Sequence, residues 1–333
     1  IMIDAHAHIG TDRLSPIIAS MRATLLRHGG EVHFGEQVSD LLLGAQGVEG
    51  ARCLSGMEHR GVAVVLATGH SARDIYELFA QRGWLLEAKP FAMGVRVEHP
   101  QSLINSIQYH SSHYSPLLPP ATYSLTTQAC GHGVFSFCMC PGGVIVPAAT
   151  AKGEQVVNGM SNALRNSPFA NSGIAVTVAP EDVPQYAGHG ALALLRFQQD
   201  VERAMYADGG APGQRLVDFL KGKSSSRLNR TNYLGRYQSA PLHEMLPPFI
   251  VESLRQGFRD FDRKMRGFIT EEASLLAVES RTSSPVRIPR QADGQHPQLL
   301  RLYPCGEGAG YAGGIVSSAL DGINVINHIH ELL

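Results

Sequence analysis

The chain has 333 residues, of which 44% are hydrophobic and 17% charged, and its formal net charge at pH 7 is −1. This length predicts about two domains, or one large domain with an insertion. The near-zero charge argues against a basic surface for nucleic acid, and no apolar run approaches the roughly 20 residues that span a bilayer. The five scattered cysteines fit a reducing compartment. We therefore expect a cytoplasmic protein without nucleic-acid or membrane partners.

The first ninety residues alternate between helical and strand-like patterns. Apolar residues at helical spacing predict a helix over 13–28, and residues 31–34 predict a short strand. The apolar run 62–67 predicts a parallel strand buried on both faces, followed by a helix over about 72–82. This alternation is typical of an α/β domain.

The middle of the chain has a different character. Residues 94–99 alternate like a strand with one solvated face. Further patterns predict antiparallel strands over 123–127, 134–139 and 143–147, helices over 190–208, 214–222 and 242–266, a strand over 275–279 and a last helix over about 315–332. The simplest arrangement is an α/β domain formed by residues 1–95 and 275–333, with an α+β domain over 96–274 inserted into it.

A glycine-rich segment near the C-terminus narrows the range of possible functions more than any other part of the sequence. Five glycines lie within Gly306–Gly314, directly before the last predicted helix. Glycine lets a backbone approach a ligand closely, and a helix start offers unpaired N–H groups and the positive end of the helix dipole. These features predict a loop that wraps a large, polar and partly anionic ligand.

Two other segments could contribute to such a site. Thr68 and Gly69 follow the strand predicted at 62–67, and ligands of open α/β sheets bind beyond the carboxyl ends of strands; an ordinary turn explains the pair equally well. Arg281 and Arg287 flank three hydroxyls and Pro285. Guanidinium groups among hydroxyls can hold anionic or carbonyl oxygens, and the alternative is a polar loop that closes a sheet.

Two motifs could carry other chemistry. Cys138 and Cys140 form a C-x-C pair that would share one face of a strand, and without a second pair we interpret them as small buried hydrophobic residues rather than redox or metal groups. The Asp4-x-His6-x-His8 pattern resembles the first ligand pair of amidohydrolases. That interpretation needs further ligands and a (β/α)8 barrel, and the alternative is a loop in which Thr11 or Asp12 caps the first helix.

Taken in order, the longer motifs resemble one family, the bacterial FAD-dependent dehydrogenases described as NAD(FAD)-utilising and related to HI0933-like flavoproteins. The strings that carry the resemblance are HIGTDRL (8–14), VVLATGHSARD (64–74), EAKPFAMGVRVEHPQ (87–101), VFSFCMCPGG (134–143), VNGMSNALRN (157–166), RTSSPVRI (281–288) and LYPCGEGAGYAGGI (302–315). The resemblance implies an FAD/NAD(P)-binding-like domain with an inserted substrate domain, FAD as cofactor, NAD(P)H as a candidate electron donor and a small-molecule substrate.

One departure from the family is expected to matter. Members of the family begin with a G-x-G-x-x-G strand–turn–helix that seats the FAD pyrophosphate, and no such fingerprint occurs before residue 30. We expect no strand of the dinucleotide-binding type before Gly306–Gly314 to replace it. The chain is therefore expected to match the C-terminal two-thirds of such a flavoprotein, with a cofactor domain that lacks its first βαβ unit.

The resemblance also implies the site residues. Val38 would meet the adenine, Thr68 and Gly69 the ADP side, and the 281–287 loop the isoalloxazine. Gly306 and Glu307 would contact the ribityl chain, and residues 312–315 the pyrimidine edge of the flavin. The implied cofactor-binding residues are Val38, Thr68, Gly69, Ser283, Ser284, Pro285, Gly306, Glu307, Ala312, Gly313, Gly314 and Ile315. The candidates for catalysis are Arg281, Arg287 and Cys140.

Three functions remain open from the sequence. The first is an FAD-dependent oxidoreductase, or a fragment of one, in which the protein supplies orientation and electrostatics to the flavin. The second is a non-catalytic module, derived from such an enzyme, that binds a substrate or a partner. The third is a metal-dependent amidohydrolase built on His6 and His8.

Overall fold

The computed structural model describes residues 8–115 and 117–332. The helices within these ranges are α1 (Leu14–Arg27), α2 (Arg73–Arg82), α3 (Gln101–Gln108), α4 (Ala193–Ala204), α5 (Leu216–Lys221), α6 (Leu242–Met245), α7 (Pro248–Lys264) and α8 (Ile315–Leu332). Short 3₁₀ helices lie at Thr11–Arg13, Pro180–Asp182 and Pro184–Leu192.

The strands are β1 (Val38–Gly44), β2 (Gly47–Cys53), β3 (Glu58–Arg60), β4 (Val64–Leu66), β5 (Glu87–Ala88), β6 (Phe91–Pro100), β7 (Thr126–Ala129), β8 (His132–Cys140), β9 (Val144–Pro147), β10 (Val157–Met160), β11 (Phe169–Val178), β12 (Ala211–Arg215), β13 (Tyr237–Ser239), β14 (Ser274–Glu279), β15 (Val286–Arg287) and β16 (Leu302–Pro304). None of the helices in the described ranges has the length and apolar composition needed to cross a bilayer.

The chain divides into two compact units, each made of three separate segments. Unit 1 consists of Ile1–Val32, Ala92–Thr177 and Asp200–Arg281. Unit 2 consists of His33–Phe91, Val178–Gln199 and Thr282–Leu333. The correspondence of these units to a cofactor domain and a substrate domain stays a prediction.

Unit 1 is built on a mixed seven-stranded sheet with the order β13-β12-β14-β6-β11-β8-β7. Strands β12 and β13 are parallel, whereas β12 with β14, β14 with β6, β11 with β8 and β7 with β8 are antiparallel. Helix α7 contacts β7 and β8 and buries one face at helical spacing. The apolar residues of that face are Ile250, Val251, Leu254, Phe258 and Phe261.

Strand β6 is buried along almost its whole length, so the predicted solvated face is wrong. Its polar side chains face partners inside the protein instead of water. Arg96 Nε donates to Glu279 Oε2 at 2.7 Å, His99 Nε2 lies 2.8 Å from the Phe268 carbonyl oxygen, and Glu98 accepts a hydrogen bond from the Asn232 N–H at 3.1 Å. Alternation of polar and apolar residues indicates a solvated face only where the polar groups have no internal partner.

Unit 2 contains a three-stranded antiparallel sheet of β1, β2 and β3, an antiparallel β5–β15 pair and a parallel β4–β16 pair. The parallel strand predicted at 62–67 is therefore present as β4. Its predicted burial on both faces is wrong, because Leu66 is buried while Val65 is 37% exposed and Val62 is 62% exposed. Leu66 packs in a core with, among others, Ile75, Phe79, Leu195, Val286 and Leu302.

The segment before α1 does not cap the helix as predicted. The residue at the N-cap is Arg13, and no side chain makes a capping hydrogen bond there. Thr11 instead donates its N–H to the Ser161 carbonyl at 2.9 Å, and Asp12 Oδ1 accepts the Ala163 N–H at 2.7 Å. These contacts fix the HIGTD string against the 161–163 loop of the same unit. The strand predicted at 31–34 does not form.

We predict that Arg96→Leu lowers the free energy of unfolding by about 3–5 kcal/mol, because it leaves Glu279 buried without its cation. Both side chains are almost fully inaccessible to solvent. Urea unfolding would measure the loss. Arg52→Leu breaks the exposed Arg52–Glu58 pair and serves as the matched control, for which we expect little change. Equal effects of the two substitutions would contradict the prediction.

We also predict a pH-dependent contribution from Glu98. Burial raises its pKa to about 7, although hydrogen bonds from Thr231 and Asn232 oppose the shift. The folded protein thus holds a proton that the unfolded chain has lost above its ordinary carboxyl pKa, and stability falls as the pH rises toward 7. Glu98→Gln should remove roughly 1–3 kcal/mol of this fall between pH 5 and 7. Parallel stability–pH curves for the variant and the parent would exclude this role.

Candidate functional site

The parallel pairing of β4 with β16 creates the candidate site in unit 2. Val64 lies opposite Leu302 and Leu66 lies opposite Pro304, and the Cys305 N–H continues the ladder by donating to the Leu66 carbonyl at 3.0 Å. Parallel strands end at the same edge of a sheet, so the two following turns emerge together there. This edge is where ligands of α/β sheets bind.

The two turns meet through glycine. A Cβ atom added at Gly308 would lie 2.6 Å from the carbonyl carbon and oxygen of Gly69, a distance that real Cβ contacts do not reach. Gly69 itself has a φ of +71°, in the left-handed region that favours glycine. The loop after β16 can therefore rest on the turn after β4 because Gly308 carries no side chain and because Gly69 readily adopts the left-handed backbone that the turn requires.

Tyr76 of α2 supports the loop from inside the unit. Its hydroxyl donates to the Gly308 carbonyl at 2.7 Å and lies 3.0 Å from Ser284 Oγ. Burial raises the pKa of Tyr76 to about 12, so the hydroxyl remains protonated and available as a donor. The Ile288 N–H donates to the Ala309 carbonyl at 3.2 Å, which ties the same loop to the segment after Thr282.

Charged side chains gather beside the loop. His70 Nδ1 lies 3.0 Å from Glu307 Oε1. A Cβ atom at Gly310 would lie 3.1 Å from Lys89 Cδ and 3.3 Å from the Cα of Arg287, so both residues flank this glycine. Burial and the nearby charge of Arg287 lower the pKa of Lys89, while Glu307 opposes them. Arg287 Nη1 also lies 3.7 Å from Glu87 Oε2, so positive and negative groups alternate beside the loop.

Asp321 anchors helix α8 to the loop. Its carboxylate accepts the Gly306 N–H at 2.7 Å and two hydrogen bonds from Arg290 at 2.6 and 3.0 Å. Burial works to raise the pKa of Asp321, but the hydrogen bonds from Arg290 and Gly306 outweigh it and leave the pKa below its ordinary value. The Arg290 guanidinium also lies 3.9 Å from the centre of the Tyr311 ring, within the range of a cation–π contact.

A buried strand does precede the glycines, although the sequence predicted none there. Strand β16 is buried throughout and parallel to β4, and α8 begins after Gly314. Gly308, Gly310 and Gly313 have the G-x-G-x-x-G spacing, but this motif also needs a second parallel strand after the helix to complete a βαβ unit, and no strand follows α8 among the described residues. The sequence concealed the strand because Leu-Tyr-Pro is too short to show a period.

Most of the residues implied by the family resemblance fall in unit 2. Ser284 and the residues of the two turns come together as described, whereas Val38 lies in β1 opposite Cys53. The residues of the set that belong to unit 2 are Val38, Thr68, Gly69, Ser283, Ser284, Pro285, Arg287, Gly306, Glu307, Ala312, Gly313, Gly314 and Ile315. Their roles toward a cofactor stay predictions.

Two catalytic candidates belong to unit 1. Arg281 is buried, with Nε donating to Glu202 Oε1 at 2.8 Å and Nη2 lying 3.5 Å from Glu154 Oε2. Its guanidinium is thus engaged in an internal ion pair. Cys140 is buried at the end of β8.

The metal hypothesis rests partly on a residue outside the described ranges, His6. His8 Nε2 lies 2.9 Å from the Asn162 carbonyl oxygen. Between residues 8 and 332, apart from 116, no group of three or more His, Cys, Asp or Glu side chains is placed to hold a metal ion.

Several residues of the site were not found from the sequence. Tyr76 is indistinguishable there from any aromatic residue on the buried face of a helix. Lys89 precedes a proline in the string 87–101, which carries part of the family resemblance, but nothing in the sequence linked this lysine to the glycine-rich loop. Asp321 and Arg290 become partners only through the fold.

We predict that Gly308→Ala lowers the free energy of unfolding of unit 2 by about 1–3 kcal/mol, because the methyl group displaces the Gly69 turn. The control is Gly313→Ala, whose added Cβ meets no atom within 4 Å. Neither glycine has a φ in the left-handed region, so the two substitutions differ in space and not in backbone strain. Denaturant unfolding with equal losses for both would contradict the close contact.

Comparisons with known proteins give the family. A family model described as "FAD-dependent protein, C-terminal domain-like" matches residues 90–282. An "Uncharacterized protein" of Clostridium beijerinckii is 42% identical over 339 residues, an alignment that covers 99% of this chain and 63% of that protein. The chain therefore spans less than two-thirds of the length of this curated relative.

A crystal structure of an oxidoreductase from Methanosarcina mazei is similar over 93% of this chain and 53% of its own, at 16% identity and a TM-score of 0.36. A TM-score this low supports no inference about fold or function. The family model, in contrast, matches more than half of the chain. The chain therefore belongs to the family described as "FAD-dependent protein, C-terminal domain-like".

Proposed function

We propose that this chain is part of an FAD-dependent oxidoreductase and that the glycine-rich loop of unit 2 holds the flavin side of FAD. The observation that carries the proposal is the contact of Gly308 with Gly69 at the carboxyl ends of β4 and β16. The family match supports FAD as the cofactor, but it ends at residue 282 and assigns no role to the loop. A small molecule is the proposed substrate and NAD(P)H the proposed electron donor.

The residues around the loop fit such a cofactor chemically. Lys89 and Arg287, two cationic residues, flank Gly310, and the start of α8 supplies N–H groups that have no partner within the helix. The space around Gly313 is open, since an added Cβ there meets no atom within 4 Å. FAD, when bound, supplies hydride or electron transfer.

The protein's own groups would bind and orient. Glu307 is partly exposed and lies against His70, so its carboxylate can accept hydrogen bonds from hydroxyl groups such as those of a ribityl chain. Tyr76 and Asp321 hold the backbone on either side of it, through Gly308 and Gly306. Preorganisation of this kind limits the ordering that binding would otherwise require.

The proposal predicts that the purified 333-residue chain binds FAD. Titration of FAD with the protein, followed by flavin fluorescence and visible absorbance, should give a saturable signal. Lys89→Gln and Arg287→Gln should each weaken binding about tenfold, the equivalent of about 1.4 kcal/mol, because each removes a charge-assisted contact. The control is Arg60→Gln, which removes an exposed arginine that pairs with Glu49 and Glu58.

Three other results of these titrations would each lead to a different conclusion. A folded chain that binds neither FAD nor FMN would contradict the proposal and favour the non-catalytic binding module. The same titration on the longer Clostridium beijerinckii relative separates a site that needs more of the protein from a protein that takes no flavin. Equal weakening by Arg60→Gln would show that binding follows net charge and not the loop.

A further inference from the structure

Strand β8 departs from regular geometry at its two cysteines. Asn171 of β11 lies opposite Cys140, but Gly173, two residues on, lies opposite Phe137. Strand β8 thus has one residue more than its partner, which is a β-bulge, and Cys138 within it has a φ of +46°. Bulges re-aim side chains and are common beside active sites.

The bulge separates the environments of the two sulfur atoms. In a regular strand both side chains would lie on one face, and the sequence predicted that both would be buried. Cys138 is exposed, whereas Cys140 is buried, so this prediction is wrong for Cys138. The Cys140 thiol lies close enough to donate to the Cys138 carbonyl, with an Sγ–O distance of 3.3 Å.

A buried cation lies beside this pair. Arg96 is fully buried, and its Nη1 donates to the Cys138 carbonyl at 3.2 Å and to Asn171 Oδ1 at 2.8 Å. Its Nε donates to Glu279 Oε2. These contacts hold the guanidinium in one position below the bulge.

The electrostatics give the two thiols different roles. The interaction of its side chain with the Cys140 thiol and the positive charge of Arg96 hold the pKa of the Cys138 thiol below its ordinary value, although the negative charge of Glu279 opposes them. The pKa of Cys140 is raised by the interaction between the two cysteine side chains and by burial. An exposed thiol of low pKa is the attacking group in thiol–disulfide exchange, and a protected neighbour resolves the intermediate.

We propose that Cys138 and Cys140 form a redox-active dithiol that reduces low-molecular-weight disulfides. The Cys138 thiolate attacks one sulfur of the disulfide, its S–S bond breaks, and the first thiol leaves with a proton. Cys140 then loses its proton and attacks the Cys138 sulfur, which releases the second thiol. The dithiol loses two electrons and two protons, and the disulfide gains both as two thiols. This activity does not depend on flavin.

The test uses the whole chain and 5,5′-dithiobis(2-nitrobenzoate), a disulfide that releases a coloured thiol. The parent protein should release two equivalents in a fast phase, and mass spectrometry of the peptide that holds both cysteines should show an internal disulfide without an adduct. Cys140→Ser should stop at a stable mixed disulfide on Cys138 after one equivalent. Cys138→Ser should lose the fast phase.

The control is Cys130→Ser, because Cys130 is also exposed and also has a positive φ, of 53°. This variant should keep the fast phase. The rate of the Cys138 phase should level off at a lower pH than the reaction of free cysteine with the same reagent, as a thiol of lowered pKa requires. A persistent adduct on Cys138 in the parent protein would overturn the proposal, as would a Cys138 that reacts no faster than Cys130. The peptide measurement on the parent needs no variant to fold.

Discussion

The parallel pairing of β4 with β16 is the constraint on which the candidate site depends. It joins residues 64–66 to residues 302–304, more than two hundred positions apart, and it fixes where both strands end. Every other contact of the loop follows from that edge, including the approach of Gly308 to Gly69 and the hydrogen bond from Tyr76. This short strand pair sets the position of the site, because the turns that follow two parallel strands both begin at the same edge.

Unit 1 depends on a different interaction, the buried ion pair of Arg96 with Glu279. Removing two charges from water is costly and is offset only when their geometry is good and the remaining donors find acceptors. Arg96 meets this demand through Asn171, Asn158 and the Cys138 carbonyl. Residues from five strands, β6, β8, β10, β11 and β14, are thereby fixed around one guanidinium, and the same group donates a hydrogen bond to the backbone carbonyl of Cys138 in the C-x-C pair.

The proposed flavin loop and the proposed dithiol share two structural features. In each, the backbone departs from regular structure. In unit 2 Gly308 approaches the turn at Gly69, and in unit 1 strand β8 bulges at its cysteines. In each, a buried side chain with few alternatives holds the irregular backbone in place, Tyr76 in one and Arg96 in the other. At neutral pH Tyr76 keeps its hydroxyl proton and Arg96 is paired with Glu279, so both side chains can serve as fixed supports.

The sequence by itself determined the elements with strong local signals. The final helix at 315–332, the helix over about 72–82, the strand at 275–279 and the glycine-rich loop all follow from residue periodicity and conformational freedom, which act over a few residues. It could not determine burial of β6, the three-residue strand before the loop, or the partners of Tyr76 and Asp321. Those were decided by tertiary structure, because a polar residue is stable inside the protein only when distant segments supply its hydrogen-bond partners.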